Sequence, residues 1–118
     1  MMSVVTSQTA EHPVWRGDCH LWHLLKSPGL SVIQERVSSG RHEVRHCHHH
    51  AHQFFSALSA RATLEADRRT VVLARHHGLS VAARVPPRLS NRDSYDFVLV
   101  LVSTPPSHGD RVVVEEAP

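Results

Sequence analysis

The stretch Gly40-Arg41-His42-Glu43-Val44-Arg45-His46-Cys47-His48-His49-His50-Ala51-His52-Gln53 decides how the rest of the chain is read. Five of the seven positions from 46 to 52 are histidine. Glu43–His48 reads as a strand, and strand side chains alternate between the two faces of a sheet. His46 and His48 therefore share one face and Cys47 takes the other. Two imidazoles spaced two residues apart are the natural way for a sheet to offer two ligands to a metal. Gln53 has the wrong parity to join them along one straight strand. It rejoins that face only if the chain turns after His48 and comes back as the next strand. His49, His50 and His52 read as the solvated connection, with His50 and His52 as substitute ligands.

Working outward, short β-rich runs alternate with turn signals every eight to twelve residues. Before the histidines come Trp15, Cys19, Leu21, Trp22, Leu24 and Leu25, then Leu30–Val37, closed by Ser38-Ser39-Gly40. After them come Gln53–Leu58, then Thr63–Ala66 and Thr70–Leu73 flanking the hairpin turn Asp67-Arg68-Arg69. Leu79–Ala83 follows the turn at His76-His77-Gly78, and Pro86-Pro87 breaks the next run. Phe97–Val102 is the strongest strand signal, and Arg111–Val114 follows Pro105-Pro106 and Gly109. Ala57–Leu64 has helical propensity, but its flanks read as strands. No segment sustains a 3.6-residue period, so the expected class is all-β, a sandwich or barrel with little helix. Residues 1–13 read as a flexible N-terminal tail and 14–118 as a single domain.

Composition narrows the function classes. With 41% hydrophobic and 20% charged residues the chain is globular rather than disordered. No apolar run reaches the roughly 20 residues of a membrane span, so no membrane partner is expected. Thirteen Lys+Arg against eleven Asp+Glu leave +2, and the scattered basic groups make no stripe for nucleic acid. Cys19 and Cys47 are too few for a disulfide framework and form no Cys-x-x-Cys pair, which excludes a zinc finger. With no signal-peptide core at the N-terminus, the expectation is a cytoplasmic protein with two free thiols. His-Glu-x-x-His, Gly-x-Ser-x-Gly and glycine-rich phosphate loops are all absent.

Gly40, five residues, His46-Cys47-His48, four residues, Gln53, six residues and Ala60 resembles the first motif of the cupin superfamily, G-x5-H-x-H-x3,4-E-x6-G. Gln53 stands at the acidic position and Ala60 at the closing glycine. Trp15, Gly17, Cys19 and Trp22, the strand at Gln53-Phe54-Phe55 and the tail Pro105–Arg111 extend the resemblance over residues 15–114, to small single-domain bacterial cupins. The second cupin motif, G-x5-P-x-G-x2-H-x3-N, falls without a gap on His76, Ala82, Arg84, Pro87 and Asn91, of which only Asn91 agrees. The resemblance implies a cupin jelly-roll barrel, an antiparallel double-stranded β-helix with a divalent metal in its mouth. It assigns the metal to His46, His48 and Gln53. Pro87 stands where the third histidine would be and has no ligand atom. Arg84 stands where a glycine of a tight turn would adopt positive φ.

Two imidazoles and a neutral amide provide no anionic ligand, so iron, manganese, nickel or zinc is expected to bind weakly or not at all. His76 and His77 are expected at the opposite end of the barrel. Glu43 and Arg45 flank the site and are candidates to line its mouth, and Glu43 is the nearest carboxylate. Trp15 and Trp22 read as packing residues, Cys47 as an outward thiol, and His108, Asp110 and Arg111 as a surface turn. One of Phe54 and Phe55 must face outward, which suits a homodimer interface. The function expected is a barrel binding a small-molecule ligand, without an assigned catalytic residue. The alternatives are a metal-dependent dioxygenase or isomerase and a structural or regulatory barrel without a site; fold alone does not choose among them.

Overall fold

The computed structural model describes residues 3–15, 19–42, 46–48, 50–66, 68–106 and 111–113. These residues form eleven strands and no helix, so no helix is long and apolar enough to cross a membrane among them. A short β1 (Val14–Trp15) leads to β2 (Cys19–Lys26) and β3 (Ser31–Val37). Next come β4 (His46–His48), β5 (His52–Ser59), β6 (Ala62–Ala66), β7 (Arg69–Leu73) and β8 (Gly78–Val81). The chain ends in β9 (Arg88–Ser90), β10 (Phe97–Thr104) and β11 (Arg111–Val113).

All pairings are antiparallel. One sheet has the order β1-β2-β3-β10-β5-β8, and two smaller ones have the orders β7-β6-β9 and β11-β4. A bridge between His42 and Ser90 sets the chain leading into β4 beside β9. Sequence and topology agree because the alternation is clean: in Ser31–Val37 every second residue is buried, and Gln53, Phe55 and Ala57 are buried while His52, Phe54 and Leu58 are exposed. The inward set, led by Phe97, Leu64, Leu89, Leu99 and Val37, is fully buried. Each such side chain contributes about 1.5–3 kcal/mol by leaving water.

Chain direction gives the barrel two ends. At one end lie the β2–β3 turn, the β4–β5 connection, the β6–β7 hairpin, the segment after β8 and the end of β10. This end is the mouth. At the other lie the turns at Ser39-Gly40, Ala60-Arg61 and 74–77, together with 91–96. His76 and His77 are thus at the base, as expected from the sequence. The base is fastened by Asn91, whose Nδ2 donates to the carbonyls of Val37 (2.9 Å) and Tyr95 (2.7 Å) and whose Oδ1 accepts from the Asp93 amide (3.0 Å).

Left-handed backbone marks the motif positions. Positive φ occurs at Gly40 (77°), Ala60 (58°), Arg68 (60°), His76 (70°) and Arg84 (70°) among the described residues. Apart from Arg68, in the β6–β7 hairpin, these are the four positions where the two cupin motifs carry glycine. The backbone keeps the turn geometry although three of the four glycines are gone. This agreement supports the register that puts Pro87, itself fully buried, at the third-histidine position.

Residues 11–13, read from the sequence as the end of a tail, run beside β2. Glu11 bridges His23, and the Leu21 amide donates to the Pro13 carbonyl (3.0 Å). His12 stacks on Trp22 at 4.6 Å, and its Nε2 lies 2.6 Å from Nδ1 of His20. Trp22 is thereby buried as a packing residue, on the outer face of β2, while the Cys19 thiol lies in the core.

Candidate functional site

The barrel mouth is built from the first residues of β3 and β5, the last of β10 and β8, and the β6–β7 hairpin. A polar row crosses it. Ser31 pairs with Ser103, Ser103 with Gln53, and Gln53 with Val81. Ser31, Ser103 and Gln53 are all buried, on the face that also carries Ile33, Phe55 and Leu99. Nε2 of Gln53 donates to Oγ of Ser103 at 3.3 Å. Oγ of Ser31 is buried with no hydrogen-bond partner among the described residues, a cost that a polar ligand or water would relieve.

Val81 carries the row to a cavity of about 240 Å³. Leu64, Val71, Leu79, Val81 and Val85 form its apolar walls, and Arg69 and Ala66 line it at the hairpin. It occupies the seam between β7 and β8, the edges of two different sheets.

The residues named from the sequence distribute as follows. His46 and His48 are at alternate positions of β4, in register with Val113 and Arg111; their side chains lie outside the described residues. Gln53 arrives on a different sheet, because the chain does turn after His48, and its side chain is buried. His52 points the other way: it is exposed on the outer face, with Nε2 2.5 Å from Oγ of Ser80. His50 is exposed in the β4–β5 connection. Glu43, Arg45, His49, His108 and Asp110 lie outside the described residues, as do the side chains of Trp15, Cys47 and Arg111.

Four inward groups escape a motif-based reading. Glu35, 3% exposed, is a carboxylate inside the barrel, paired across β3 with Leu21 and Leu99. His23 is in register with Ile33 on the same inner face, one step from the mouth. Ser103 ends β10, and Arg69 opens β7. For Glu35 the signal was present: it has the parity of Ile33 and Val37 in a strand that is plain from its β-branched residues.

The described donors do not make up the four-ligand centre that the resemblance implies. Pro87 has no ligand atom at the third-histidine position, and Gln53 offers a neutral amide whose Nε2 donates to Ser103. Among the described residues no group of three His, Cys, Asp or Glu could hold a metal ion. Glu35 is four residues along β3 from Ser31, about 13 Å at the rise of a strand, and so stands deeper than the row that carries Gln53.

No protein-family model matches the chain, and no curated protein matches it. Solved structures do. KdgF from Halomonas sp. superposes with a TM-score of 0.82 at 10% identity, covering 92% of this chain and 97% of that one. An RmlC-like cupin from Shewanella frigidimarina NCIMB 400 gives 0.80 at 15% identity, covering 92% and 95%. The polyketide cyclase RemF from Streptomyces resistomycificus gives 0.83 at 14% identity, covering 99% and 88%. The chain therefore has the cupin double-stranded β-helix fold, a fold that carries enzymes as well as proteins without assigned activity.

Proposed function

We propose that this chain is a binding-type cupin that takes a small organic ligand into the mouth cavity and holds a divalent metal weakly, if at all, on His46, His48 and Gln53. The observation that carries the reading is the pairing of an apolar cavity of about 240 Å³ with a mouth whose third-histidine position is a buried proline. Such a cavity binds by excluding water from an apolar ligand, and the buried Ser31, Ser103 and Gln53 form a polar row that Val81 joins to its wall. Iron, manganese, nickel or zinc held by two imidazoles and an amide would keep open positions for water. No catalytic step is derived through it.

The enzyme reading, a metal-dependent dioxygenase or isomerase, is second. Glu35 favours it, as a carboxylate inside the barrel of the kind general acid–base chemistry uses. A homodimer through the outer face of the β5–β8 sheet is also proposed. Phe54 is 45% exposed there, beside the half-buried Val100 and Val102. The protein is proposed to work in the cytoplasm, without membrane or nucleic-acid partners.

Metal content of untagged protein, compared with His46→Ala, tests the metal reading. Substoichiometric metal, equal in both, is expected. Near-stoichiometric metal lost in His46→Ala would put the enzyme reading first. Pro87→His restores a third imidazole and is expected to raise Ni(II) or Zn(II) affinity at least tenfold by calorimetry; unchanged affinity would count against the register of the second motif.

A further inference from the structure

We propose that the mouth cavity is a receptor for an amphipathic carboxylate, with Arg69 as the residue that reads the anionic group. The inference rests on the ligand-binding reading above and names its substrate class.

Register fixes the placement of Arg69. Ala66 pairs with Arg69, Leu64 with Val71 and Ala62 with Leu73. Leu64, Leu73 and Ala62 are core residues, so Arg69 has the inward parity of its strand. It lines the cavity, together with the apolar Leu64, Val71 and Val81. Opposite it stands Ala66, a small residue that also lines the cavity.

Charge makes the case specific. Arg36 is matched with Asp96, Arg61 with Asp93 and Arg92 with Glu65, and Arg69, unlike these, lines the cavity. Arg69 has no ion-pair or hydrogen-bond partner among the described residues. Glu65, the nearest carboxylate in sequence among them, is taken by Arg92. A fork of five N–H donors at the rim of an apolar cavity matches a carboxylate bidentately, with the apolar body directed inward.

Size limits the body. A cavity of 150 Å³ holds benzene, so about 240 Å³ holds about ten non-hydrogen atoms by proportion. Octanoate and 3-phenylpropionate are of this size. A sugar would leave its hydroxyls against the apolar walls.

The test uses the full-length protein and four probes: octanoate, 3-phenylpropionate and their alcohols, 1-octanol and 3-phenyl-1-propanol. Affinities are measured by calorimetry and by saturation-transfer NMR on wild type, Arg69→Gln, Arg69→Lys and Ala66→Phe. Thermal melts check each fold, and Ala82→Phe on the same lining replaces Ala66→Phe if the latter does not fold. The acids are expected to bind about ten- to a hundredfold more tightly than the alcohols, the range of a charge-assisted contact. Arg69→Gln is expected to erase that difference, Arg69→Lys to keep part of it, and Ala66→Phe to abolish binding of all four. Acids and alcohols binding alike, unaffected by Arg69→Gln yet blocked by Ala66→Phe, would overturn the role of Arg69 and leave the cavity as the ligand site. No binding by any probe, or binding that Ala66→Phe does not touch, would overturn both.

Discussion

Replacing His76 and Arg84 by glycine is expected to stabilise the protein, which is the reverse of what glycine does at most positions. Both residues hold φ at 70°, where an L side chain crowds the following carbonyl at a cost of about 1–2 kcal/mol. Glycine removes that cost but loosens the unfolded chain by about 0.4–1 kcal/mol. Both side chains are exposed, so little packing is lost. The backbone bond from the His76 amide to the Ala57 carbonyl (2.9 Å) does not need a side chain. The net expectation is about 0.5–1 kcal/mol gained at each site. The double variant should then melt roughly 4–8 °C higher, taking about 4 °C per kcal/mol for a domain of this length. Ala60→Gly is expected to be neutral, because Ala60 packs against the core and its methyl is worth about 0.8 kcal/mol. Ala82→Gly, at an exposed site without positive φ, is the control and should lose about 0.4–1 kcal/mol. Urea midpoints and thermal melts followed by circular dichroism read all four. If His76→Gly and Arg84→Gly lose stability as Ala82→Gly does, the two turns are not left-handed and the register of the second motif fails with them.

Asn91→Ala should cost about 2–4 kcal/mol, since it strips three hydrogen bonds from a buried junction of the base; urea denaturation measures it, and a cost under 1 kcal/mol would mean the junction is held by other groups. Gln53→Glu should lower the stability of the metal-free protein by about 1–3 kcal/mol by burying a carboxylate, and Zn(II) should recover the loss. Calorimetry showing no tighter Zn(II) binding would mean that the side chain at 53 does not face the metal. Phe54→Asp should shift the protein to monomer in sedimentation at micromolar concentration, while its melting point stays within a few degrees; an unchanged association state would remove the dimer face.

Legibility in the sequence followed periodicity. Ser31–Val37 and Phe97–Thr104 declare themselves by β-branched residues and alternation, and the turns by Gly, Pro and Ser clusters, so the barrel and its inward set could be read before any coordinates. The left-handed turns could be read only through motif spacing. Ala60, His76 and Arg84 are chemically unlike glycine, and nothing local in their identity announces positive φ. Glu35 is the opposite case: its strand and parity are plain in the sequence, but no motif marks it. Arg69 could not be found at all without register. An arginine beside a turn looks like a solvated charge until the pairing of Ala66 with Arg69 gives it the parity of Val71 and Leu73.

What the site keeps and what it loses point in one direction. The turn geometry survives three lost glycines, and Asn91 still ties the base, so the barrel is held to its shape by more than inherited sequence. In the mouth, the positions that the cupin motifs give to a carboxylate and a third imidazole hold the amide of Gln53 and Pro87. Neither residue carries a charge, which lowers the cost of burying the mouth without a metal. The one cation that lines the cavity, Arg69, is at its rim, where water can reach it in the absence of a ligand. Fully apolar replacements would have left the cavity indifferent to what enters it. A neutral inner wall with a cation at the opening instead orients a ligand, anionic end outward and apolar end toward Leu64 and Val81.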